Sequence, residues 1–308
     1  MTNMNEYLNT TPFDLYELHL FHLVAKHRSF TKAAEVVGLT QSAITRQMQG
    51  MENSLGLALL ERTTRSVRMT PAGEFLFHES SRLLGDVDQS LRQLREEFGN
   101  ARKEVRVGVS SSISLAYLPG FFHANLRRHP EIGCRVSHQG SAGILSALEA
   151  NELDLGVLCP APNLPRTLRV THKFEDAFTL VIPSALASES QSLAASKKAR
   201  QAWLERQSWL LIEEGTQTGQ QLRGWMPRQG LRIQPVMQLD NFDLIINLVA
   251  LNMGVSFVPI RALALYGRKE TLTRISLPER FVRDLVVVVR KHRKLPEHIG
   301  RFVENVLF

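Results

Sequence analysis

The sequence predicts an α plus α/β protein, with a small helical N-terminal part, one long helix and two α/β lobes. Three observations predict this architecture. Residues 29–70 hold two short helices separated by a glycine turn, residues 71–98 repeat apolar side chains at spacings of three and four, and residues 105–289 alternate strand-like runs with helical segments. A length of 308 residues is sufficient for two or more domains.

Three helices are predicted before residue 56. The first spans about residues 15–27 and is amphipathic. Ser29 is placed to cap the second helix, residues 31–37, and Gly38 follows it where a left-handed glycine commonly ends a helix. Thr40 can then cap a third helix. Two helices joined by so short a turn predict a helix-turn-helix.

The third predicted helix has two different faces. Its apolar stripe consists of Ile44, Met48, Met51 and Leu55. Its polar stripe consists of Ser42, Thr45, Arg46 and Gln49. Such a polar stripe can enter a major groove and meet base edges, which predicts sequence-specific binding to double-stranded operator DNA. The alternative is a small three-helix bundle without a role at DNA.

Residues 71–98 predict one long helix that begins at a proline, a residue favoured in the first helical turn. Its heptad-like positions are Phe77, Ser80, Leu84, Val87, Leu91, Leu94 and Phe98. A stripe of this length needs a partner, so we expect a dimerisation helix. The alternative is a helix that packs only on its own domain. A homodimer would present two recognition helices to two half-sites.

The remaining residues predict two lobes built from βαβ units and a mostly parallel sheet. The predicted strands are 105–109, 134–138, 153–158, 178–182, 209–212, 235–239, 255–258 and 285–289. The predicted helices are 115–128, 143–151, 219–229 and 244–252. Residues 178–182 cross into the second lobe and 285–289 return to the first. A cleft between lobes is a usual place for a small ligand.

Residues 29–73 also resemble a known family. The matching residues are Ser29-Phe30, Ala33-Ala34, Leu39, Gln41-Ser42, Arg46-Gln47, Glu52, Leu55-Gly56, Leu59, Arg62, Arg68 and Thr70-Pro71-Ala72-Gly73. This run resembles the DNA-binding domain of LysR-type transcriptional regulators. The resemblance implies a winged helix-turn-helix with residues 62–70 as the wing, and a linker helix that pairs subunits. Three residues depart from the family pattern: Leu60, Gln49 and Gly50.

The C-terminal part resembles the effector-binding domain of the same family, which is itself similar to periplasmic solute-binding proteins. The matching residues are Gly108, Ser110–Ser112, Pro119, Gly140-Ser141, Leu153-Asp154-Leu155, Leu180–Pro183, Gly254 and Pro259. A departure is residues 183–200, rich in Ala and Ser, which we expect to form a longer loop near the cleft. The resemblance favours a homotetramer on DNA over a homodimer.

The expected domains are a winged helix-turn-helix at 1–70, a linker helix at 71–98 and an effector-binding domain at 99–308. Within the last, lobe I is expected at 105–179 and 276–308, and lobe II at 180–275. The residues expected to contact DNA are Thr31, Gln41, Ser42, Thr45, Arg46, Gln49, Arg62, Arg65 and Arg68.

Hydroxyl side chains predict the ligand site. They follow predicted strands at three strand-to-helix turns, and they are Ser110, Ser111, Ser112, Ser141, Thr216 and Thr218. Helix N-terminal amides at such turns suit an anion, so we expect a small anionic effector. The alternative for each hydroxyl is helix capping without a ligand. Family resemblance implies that residues at these turns contact the effector.

Charge is distributed unevenly. The chain has a net charge of +7, but residues 1–98 contain 10 basic and 12 acidic side chains. The basic excess therefore lies mainly outside the predicted DNA-binding part. Within that part it is local, since residues 26–70 contain 7 basic and 3 acidic side chains. A local patch is what contact with phosphates requires.

Other classes of site have little support. Cys134 and Cys159 have no metal-ligand or disulfide spacing and are expected to be buried and inert, and the His19 and His22 pair lacks further ligands. No phosphate-loop, dinucleotide or serine-hydrolase motif is present, so we expect no cofactor, no metal and no catalytic residue.

The N-terminus does not resemble a signal peptide, and the longest uncharged run, 17 residues at 244–260, is marginal for a membrane span. A cytoplasmic protein without membrane contact is expected.

Three functions remain. The first is a DNA-binding transcriptional regulator whose effector closes the cleft, rearranges the subunits and alters DNA bending and contact with RNA polymerase. The second is a solute-binding protein for a small anion, which leaves the helix-turn-helix unexplained. The third is a small-molecule enzyme, which would need a nucleophile or an acid/base pair where the turns offer mainly hydroxyls. We expect the first.

Overall fold

The computed structural model describes residues 12–62, 67–99, 101–113, 127–160, 162–189, 196–263, 266–278, 280–291 and 295–305. The chain divides into two compact units, Met1–Gly99 and Asn100–Phe308. No helix among the described residues is both long and apolar enough to cross a membrane.

The first unit is helical with a small two-stranded wing. Its elements are α1 (Leu15–His27), α2 (Phe30–Val37), α3 (Gln41–Leu55), β1 (Leu60–Arg62), β2 (Val67–Met69) and α4 (Pro71–Phe98). β1 and β2 pair antiparallel, with Leu60 opposite Met69. The wing implied by the resemblance is therefore present between α3 and α4.

Local capping fixes the ends of α2 and α3, as the sequence predicts. The hydroxyl of Ser29 accepts a hydrogen bond from the Lys32 amide at 3.2 Å, and Thr40 does the same for the Ala43 amide at 3.2 Å. Gly38 ends α2 with a φ of 71°, a left-handed conformation that costs glycine little. The turn between the two helices is thus determined by short-range chemistry.

The start of the wing is fastened to α3. The Glu52 carboxylate accepts hydrogen bonds from the amides of Leu59 and Leu60 at 2.8 and 3.0 Å. Gly73, in the first turn of α4, lies directly against this segment, and a Cβ there would be 2.0 Å from the Leu59 carbonyl oxygen. Only glycine allows this approach of two backbones.

The first half of α4 packs on α1. The His22 ring stacks on Phe77 with a centroid distance of 4.9 Å, and its Nδ1 is 3.3 Å from the Ser80 hydroxyl. Burial, followed by the positive charge of Lys26, lowers the pKa of His22 to about 4. The imidazole is therefore neutral near pH 7 and belongs to the core of this unit.

The second half of α4 presents apolar side chains to solvent. Leu91, Leu94 and Phe98 are 47%, 56% and 78% exposed in the single chain. They continue the heptad-like stripe predicted from the sequence, and large exposed apolar patches commonly mark an interface.

The second unit contains two small α/β layers joined by long strands. Its elements are β3 (Glu104–Ser110), β4 (Gly133–Gln139), α5 (Ser141–Glu149), β5 (Leu155–Leu158), β6 (Leu168–Pro183), α6 (Lys197–Glu205), β7 (Trp209–Ile212), α7 (Gln217–Arg228), β8 (Pro235–Leu239), α8 (Phe242–Ala250), β9 (Ser256–Pro259), β10 (Leu272–Ile275), β11 (Val282–Arg290) and α9 (Glu297–Asn305).

Strand pairing separates the two lobes. In the first, the order is β6-β11-β5-β3-β4. In the second, the end of β6 lies between β9 and β10, and β7 pairs with β8 and touches the start of the β9 segment through a Trp209–Val255 bridge. β6 thus belongs to both lobes, and β11 follows it back.

The prediction of a mostly parallel sheet was wrong. β3 pairs parallel with β4 and β5, and β7 pairs parallel with β8, as βαβ units require. All pairings of β6 and β11 are antiparallel. The reason is that both strands run between the lobes in opposite directions, so they can pair side by side without a helical crossover.

Several predicted boundaries shift. α5 begins at Ser141 instead of residue 143, α7 at Gln217 instead of 219, and β6 extends back to Leu168 from the predicted 178. The loop expected at 183–200 is helical from Lys197 onward. Most of the helix predicted at 115–128 lies outside the described residues.

Candidate nucleic-acid interface and interlobe site

The recognition face of α3 is well defined. Ile44, Met48 and Met51 are almost fully buried against the rest of the unit. On the other side of the helix the side chains predicted to contact DNA remain accessible, and these are Gln41, Ser42, Arg46 and Gln49, with Thr45 half-buried. The burial of one stripe orients the other toward solvent, as groove recognition needs.

Two further elements flank this face. Thr31 is exposed in the first turn of α2. Arg68 is exposed on β2, opposite Glu61 of β1. Arg62 lies at the end of β1, and Arg65 lies outside the described residues. A cation on a wing next to a recognition helix is placed to contact the phosphate backbone.

Hydroxyl groups meet where the strands of lobe I end. The Ser110 hydroxyl lies 3.4 Å from the Ser112 hydroxyl and 3.5 Å from the Ser141 hydroxyl. α5 begins at Ser141 without a side-chain cap from Gly140. The first-turn amides of α5 therefore adjoin a group of buried or half-buried hydroxyls, which suits an oxygen-bearing ligand.

Thr218 of lobe II completes this group. It is fully buried in α7, and its hydroxyl donates to the Ser112 oxygen at 3.1 Å and lies 3.2 Å from the Cys159 sulfur. Of the six predicted residues, the structure brings together the side chains of Ser110, Ser112, Ser141 and Thr218.

Thr216 and Ser111 have other contacts. The Thr216 hydroxyl accepts from the Gly219 amide at 2.9 Å and donates to the Glu213 carbonyl at 2.9 Å, so it caps α7. Ser111 joins its turn to the neighbouring one through its backbone, since its amide donates to the Gln139 carbonyl at 3.1 Å. For Thr216, capping is the role that the contacts show.

An ion pair that the sequence reasoning missed lies beneath the hydroxyls. Arg283 of β11 and Asp176 of β6 are opposite each other in register, and both are buried, with 1% and 0% exposure. Nε and Nη2 of Arg283 both lie 2.9 Å from Asp176 Oδ2. Both residues lie just before the strands predicted at 178–182 and 285–289, and neighbouring positions in β6 and β11 also carry charges, so nothing local in the sequence marks the pair.

The guanidinium group also reaches both lobes. Its Nη1 donates to the Ser112 carbonyl at 3.0 Å and to the Thr218 hydroxyl. It lies over the rings of Phe178 and Phe242, with centroid distances of 5.1 and 5.5 Å. Because Asp176 neutralises it, Arg283 contributes directed hydrogen bonds to the site more than net charge.

Neither cysteine is arranged for reactivity. Cys159 is fully buried, as expected, whereas Cys134 is only half-buried on β4. Burial, together with the charges of Glu104 and Asp154, raises the pKa of Cys134 to about 12. Its thiol is therefore protonated near neutral pH and a poor nucleophile. The described residues contain no cluster of potential metal ligands.

Two family models cover nearly the whole chain. Residues 15–74 match the bacterial regulatory helix-turn-helix protein, lysR family, and residues 98–307 match the LysR substrate binding domain. The chain is 31% identical over 301 residues to a RuBisCO operon transcriptional regulator of Allochromatium vinosum, covering 95% of each chain. It is 27% identical to an uncharacterized HTH-type transcriptional regulator, YfeR, of Shigella flexneri, covering 92% of this chain and 90% of the relative.

Solved structures show the same fold. Full-length CbnR complexed with its target DNA superposes with a TM-score of 0.67 at 20% identity, covering 96% of this chain and 99% of CbnR. A full-length variant of OxyR from Pseudomonas aeruginosa gives a TM-score of 0.62, also at 20% identity, covering 95% of this chain and 96% of OxyR. The two domain models and the extended sequence similarity lead to one conclusion: this chain belongs to the LysR family of DNA-binding transcriptional regulators.

Proposed function

We propose that this regulator reads its operator with the exposed face of α3. We further propose that it responds to a small molecule bound where the hydroxyls of Ser110, Ser112, Ser141 and Thr218 come together. The observation that carries the proposal is the joining of hydroxyls from both lobes at the N-terminus of an uncapped helix, in the unit that matches the LysR substrate binding domain. Hydroxyl donors and free amides favour an effector with a carboxylate or another oxygen anion.

For operator binding, we propose that Ser42, Thr45 and Arg46 contact bases or adjacent phosphates. Thr31, Gln41 and Gln49 flank them, and Arg62, Arg65 and Arg68 contact the DNA backbone near the wing. The apolar half of α4 supports pairing of two chains, so that two recognition helices meet two half-sites. Assembly of dimers into a homotetramer and contact with RNA polymerase complete the proposed regulatory complex.

Operator binding is tested by footprinting on the DNA directly upstream of the gene for this protein, with random competitor DNA at two salt concentrations. We expect a protected, roughly symmetric site that survives the competitor. Arg46→Ala should weaken binding at that site by about 1–3 kcal/mol if the guanidinium reads a base. Equal weakening on random DNA would show that Arg46 contacts phosphate only.

Effector binding is tested by calorimetry with a panel of small anionic, neutral and cationic compounds. We expect an anion to bind, and Ser141→Ala to reduce its affinity by about 3- to 10-fold by removing one hydrogen bond. Ser90→Ala is the control, because its hydroxyl bonds the Asp86 carbonyl within α4. Binding of neutral or cationic compounds alone contradicts the proposed class, and an effector that leaves the footprint and the DNA bend unchanged contradicts its regulatory role.

We further propose a role without catalysis, in the cytoplasm where operator DNA is available. The A. vinosum and S. flexneri relatives are named as transcriptional regulators, and the interlobe site combines hydroxyls with a neutralised ion pair instead of an activated nucleophile. A turnover assay on any compound that binds is the direct test. Chemical conversion of that compound by the purified protein would overturn this part of the proposal.

A further inference from the structure

We infer that Arg283, held by Asp176, is a positioning residue that holds lobe II against lobe I beside the hydroxyls of Ser112 and Thr218. Its partners come from three segments of the chain that are distant in sequence. Asp176 lies on the strand shared by the lobes, Ser112 follows β3 of lobe I, and Thr218 begins α7 of lobe II. This inference rests on the proposed function only where it concerns the effector.

The position of the pair makes it suited to this role. β6 pairs with β11 as far as Ala177, and from Phe178 onward it pairs with β9 of lobe II. Asp176 therefore lies one residue before the last β6 residue that pairs within lobe I. A side chain anchored at this point lies where β6 passes from one lobe to the other, so it can contact residues of both.

The chemistry of arginine explains the geometry. Its planar guanidinium carries donors on separate edges. One edge faces the Asp176 carboxylate, and Nη1 points to the Ser112 carbonyl and the Thr218 hydroxyl. Because the group is buried, water cannot readily replace a lost partner. The Thr218 hydroxyl, oriented by Arg283, then donates to the Ser112 hydroxyl across the lobes.

The hydrogen bonds between Arg283, Thr218 and Ser112 set requirements for any ligand that binds between them. A ligand that enters between Ser112 and Thr218 has to replace their hydrogen bond, and an acceptor oxygen on the ligand can take the Nη1 donor that Thr218 releases. Arg283 stays anchored by Asp176 throughout. We therefore expect the effector to carry an oxygen acceptor on a group small enough to lie between the Ser112 and Thr218 hydroxyls.

Hydrogen–deuterium exchange of the full chain, in the absence of any added compound, tests the fastening. Thr218→Val removes the hydroxyl but preserves side-chain shape and leaves the Arg283–Asp176 pair intact. We expect exchange to rise about 2- to 10-fold in the peptide that holds Ser110–Ile113 of lobe I as well as in the peptide that begins α7. The first of these is the informative signal, because it lies in the other lobe.

Thr179→Val is the matched control. Thr179 is a buried threonine in the part of β6 that pairs with β9, and its hydroxyl donates to the Ile275 carbonyl at 3.0 Å and accepts from Arg274 Nε at 3.3 Å. It should raise exchange near its own contact and leave residues 110–113 as in the wild type. If Thr218→Val raises exchange only in the α7 peptide, or if both variants raise exchange at residues 110–113 equally, the Thr218 hydroxyl does not specifically hold the two lobes together.

The role of Arg283 itself is tested by Arg283→Lys, which retains the charge but lacks the two-edged donor set. Exchange should rise at residues 110–113 at least as much as in Thr218→Val. If the lysine variant does not fold, Asp176→Glu, which keeps the charge pair but moves the guanidinium, takes its place. Wild-type exchange at 110–113 in the folded variant would overturn the assignment. Since no effector is used, failure here is distinct from failure of the calorimetric screen.

Discussion

His22 shows how one half-buried titratable group couples the DNA-binding unit to pH. The ring packs between α1 and α4, with Phe77 on one face and the Ser80 hydroxyl near Nδ1. Burial lowers its pKa in the folded protein to about 4, from an ordinary value of 6.5. In the unfolded chain the ring binds a proton more readily, so protonation favours unfolding.

We predict that this group has a constant effect on stability above pH 6.5 and destabilises the fold progressively as pH falls from 6.5 to about 4. The loss should reach about 2 kcal/mol, allowing for partial exposure of the ring. Denaturant unfolding of wild type and His22→Phe, which keeps a ring against Phe77, measures it across this range. The wild-type stability relative to the variant should decline with acidification. A constant difference between wild type and His22→Phe would contradict the prediction.

Two glycines in the first unit should respond in opposite ways to alanine. Gly50 lies exposed within α3, and a Cβ there meets nothing within 4 Å. Gly50→Ala should stabilise the unit by about 0.5–1 kcal/mol, because alanine loses less backbone entropy in a helix. Gly73→Ala should destabilise it instead, since the added Cβ would lie 2.0 Å from the Leu59 carbonyl oxygen. Thermal unfolding followed by circular dichroism measures whether each variant is more or less stable than the wild type. A destabilised Gly50→Ala would be inconsistent with the open space around Gly50.

Single residues differ in how far they could be predicted. The capping roles of Ser29 and Thr40 follow from side-chain type and a spacing of three residues, so sequence alone located them. Arg283 and Asp176 are 107 positions apart. Nothing local distinguishes them from charges at a solvated strand end. Their pairing depends on strand register, which local patterns do not reveal.

At the scale of elements, helices and strands with strong periodicity were predicted and weakly patterned ones were missed. α4 was predicted with its observed ends, because a proline begins it and an apolar stripe continues to Phe98. The first half of β6 was not predicted, because most of its side chains are exposed or half-buried and several are charged, so it lacks an apolar strand pattern. The polar first turn of α6, beginning at Lys197, predicts a loop, whereas the structure has a helix there.

The apolar stripe at the end of α4 carries a prediction about assembly. Leu94 is 56% exposed in the single chain and lies at a heptad-like position. Leu94→Gln should shift the protein toward monomer and raise the dimer dissociation constant roughly tenfold or more by removing apolar burial. Arg95→Gln, the adjacent exposed residue on another side of the helix, is the control. Analytical ultracentrifugation over a dilution series measures both, and identical profiles for the two variants would place the interface elsewhere.

At the scale of the whole molecule, the excess positive charge does not lie in the unit that is expected to contact DNA. The formal charge of +7 arises from residues 99–308, while residues 1–98 are slightly acidic. DNA contact is expected from a few cations held on α3 and the wing. Electrostatic binding to DNA depends on how many phosphates are neutralised at the interface, so position should matter more than the total.

A pair of variants with the same change in net charge tests this. Arg68→Glu, on the exposed side of β2, and Lys198→Glu, exposed on α6, each lower the formal charge of +7 by two units. We predict that Arg68→Glu weakens DNA binding on the order of tenfold or more and flattens its salt dependence. Lys198→Glu should retain wild-type affinity. Fluorescence anisotropy at several salt concentrations measures the DNA affinity of both variants. Equal losses of affinity in the two variants would show that overall charge governs binding.

The sequence by itself determined the class of each part of this protein. Local periodicity and capping defined the helix-turn-helix, the linker helix and the βαβ units, because those features depend on residues a few positions apart. Tertiary structure decided what long-range pairing controls. It placed β6 and β11 antiparallel between the lobes, and it brought the Thr218 hydroxyl of one lobe to Ser112 of the other. It also buried Arg283 against Asp176 beneath them. These contacts join segments about a hundred residues apart, and only the register of paired strands specifies which of their side chains meet.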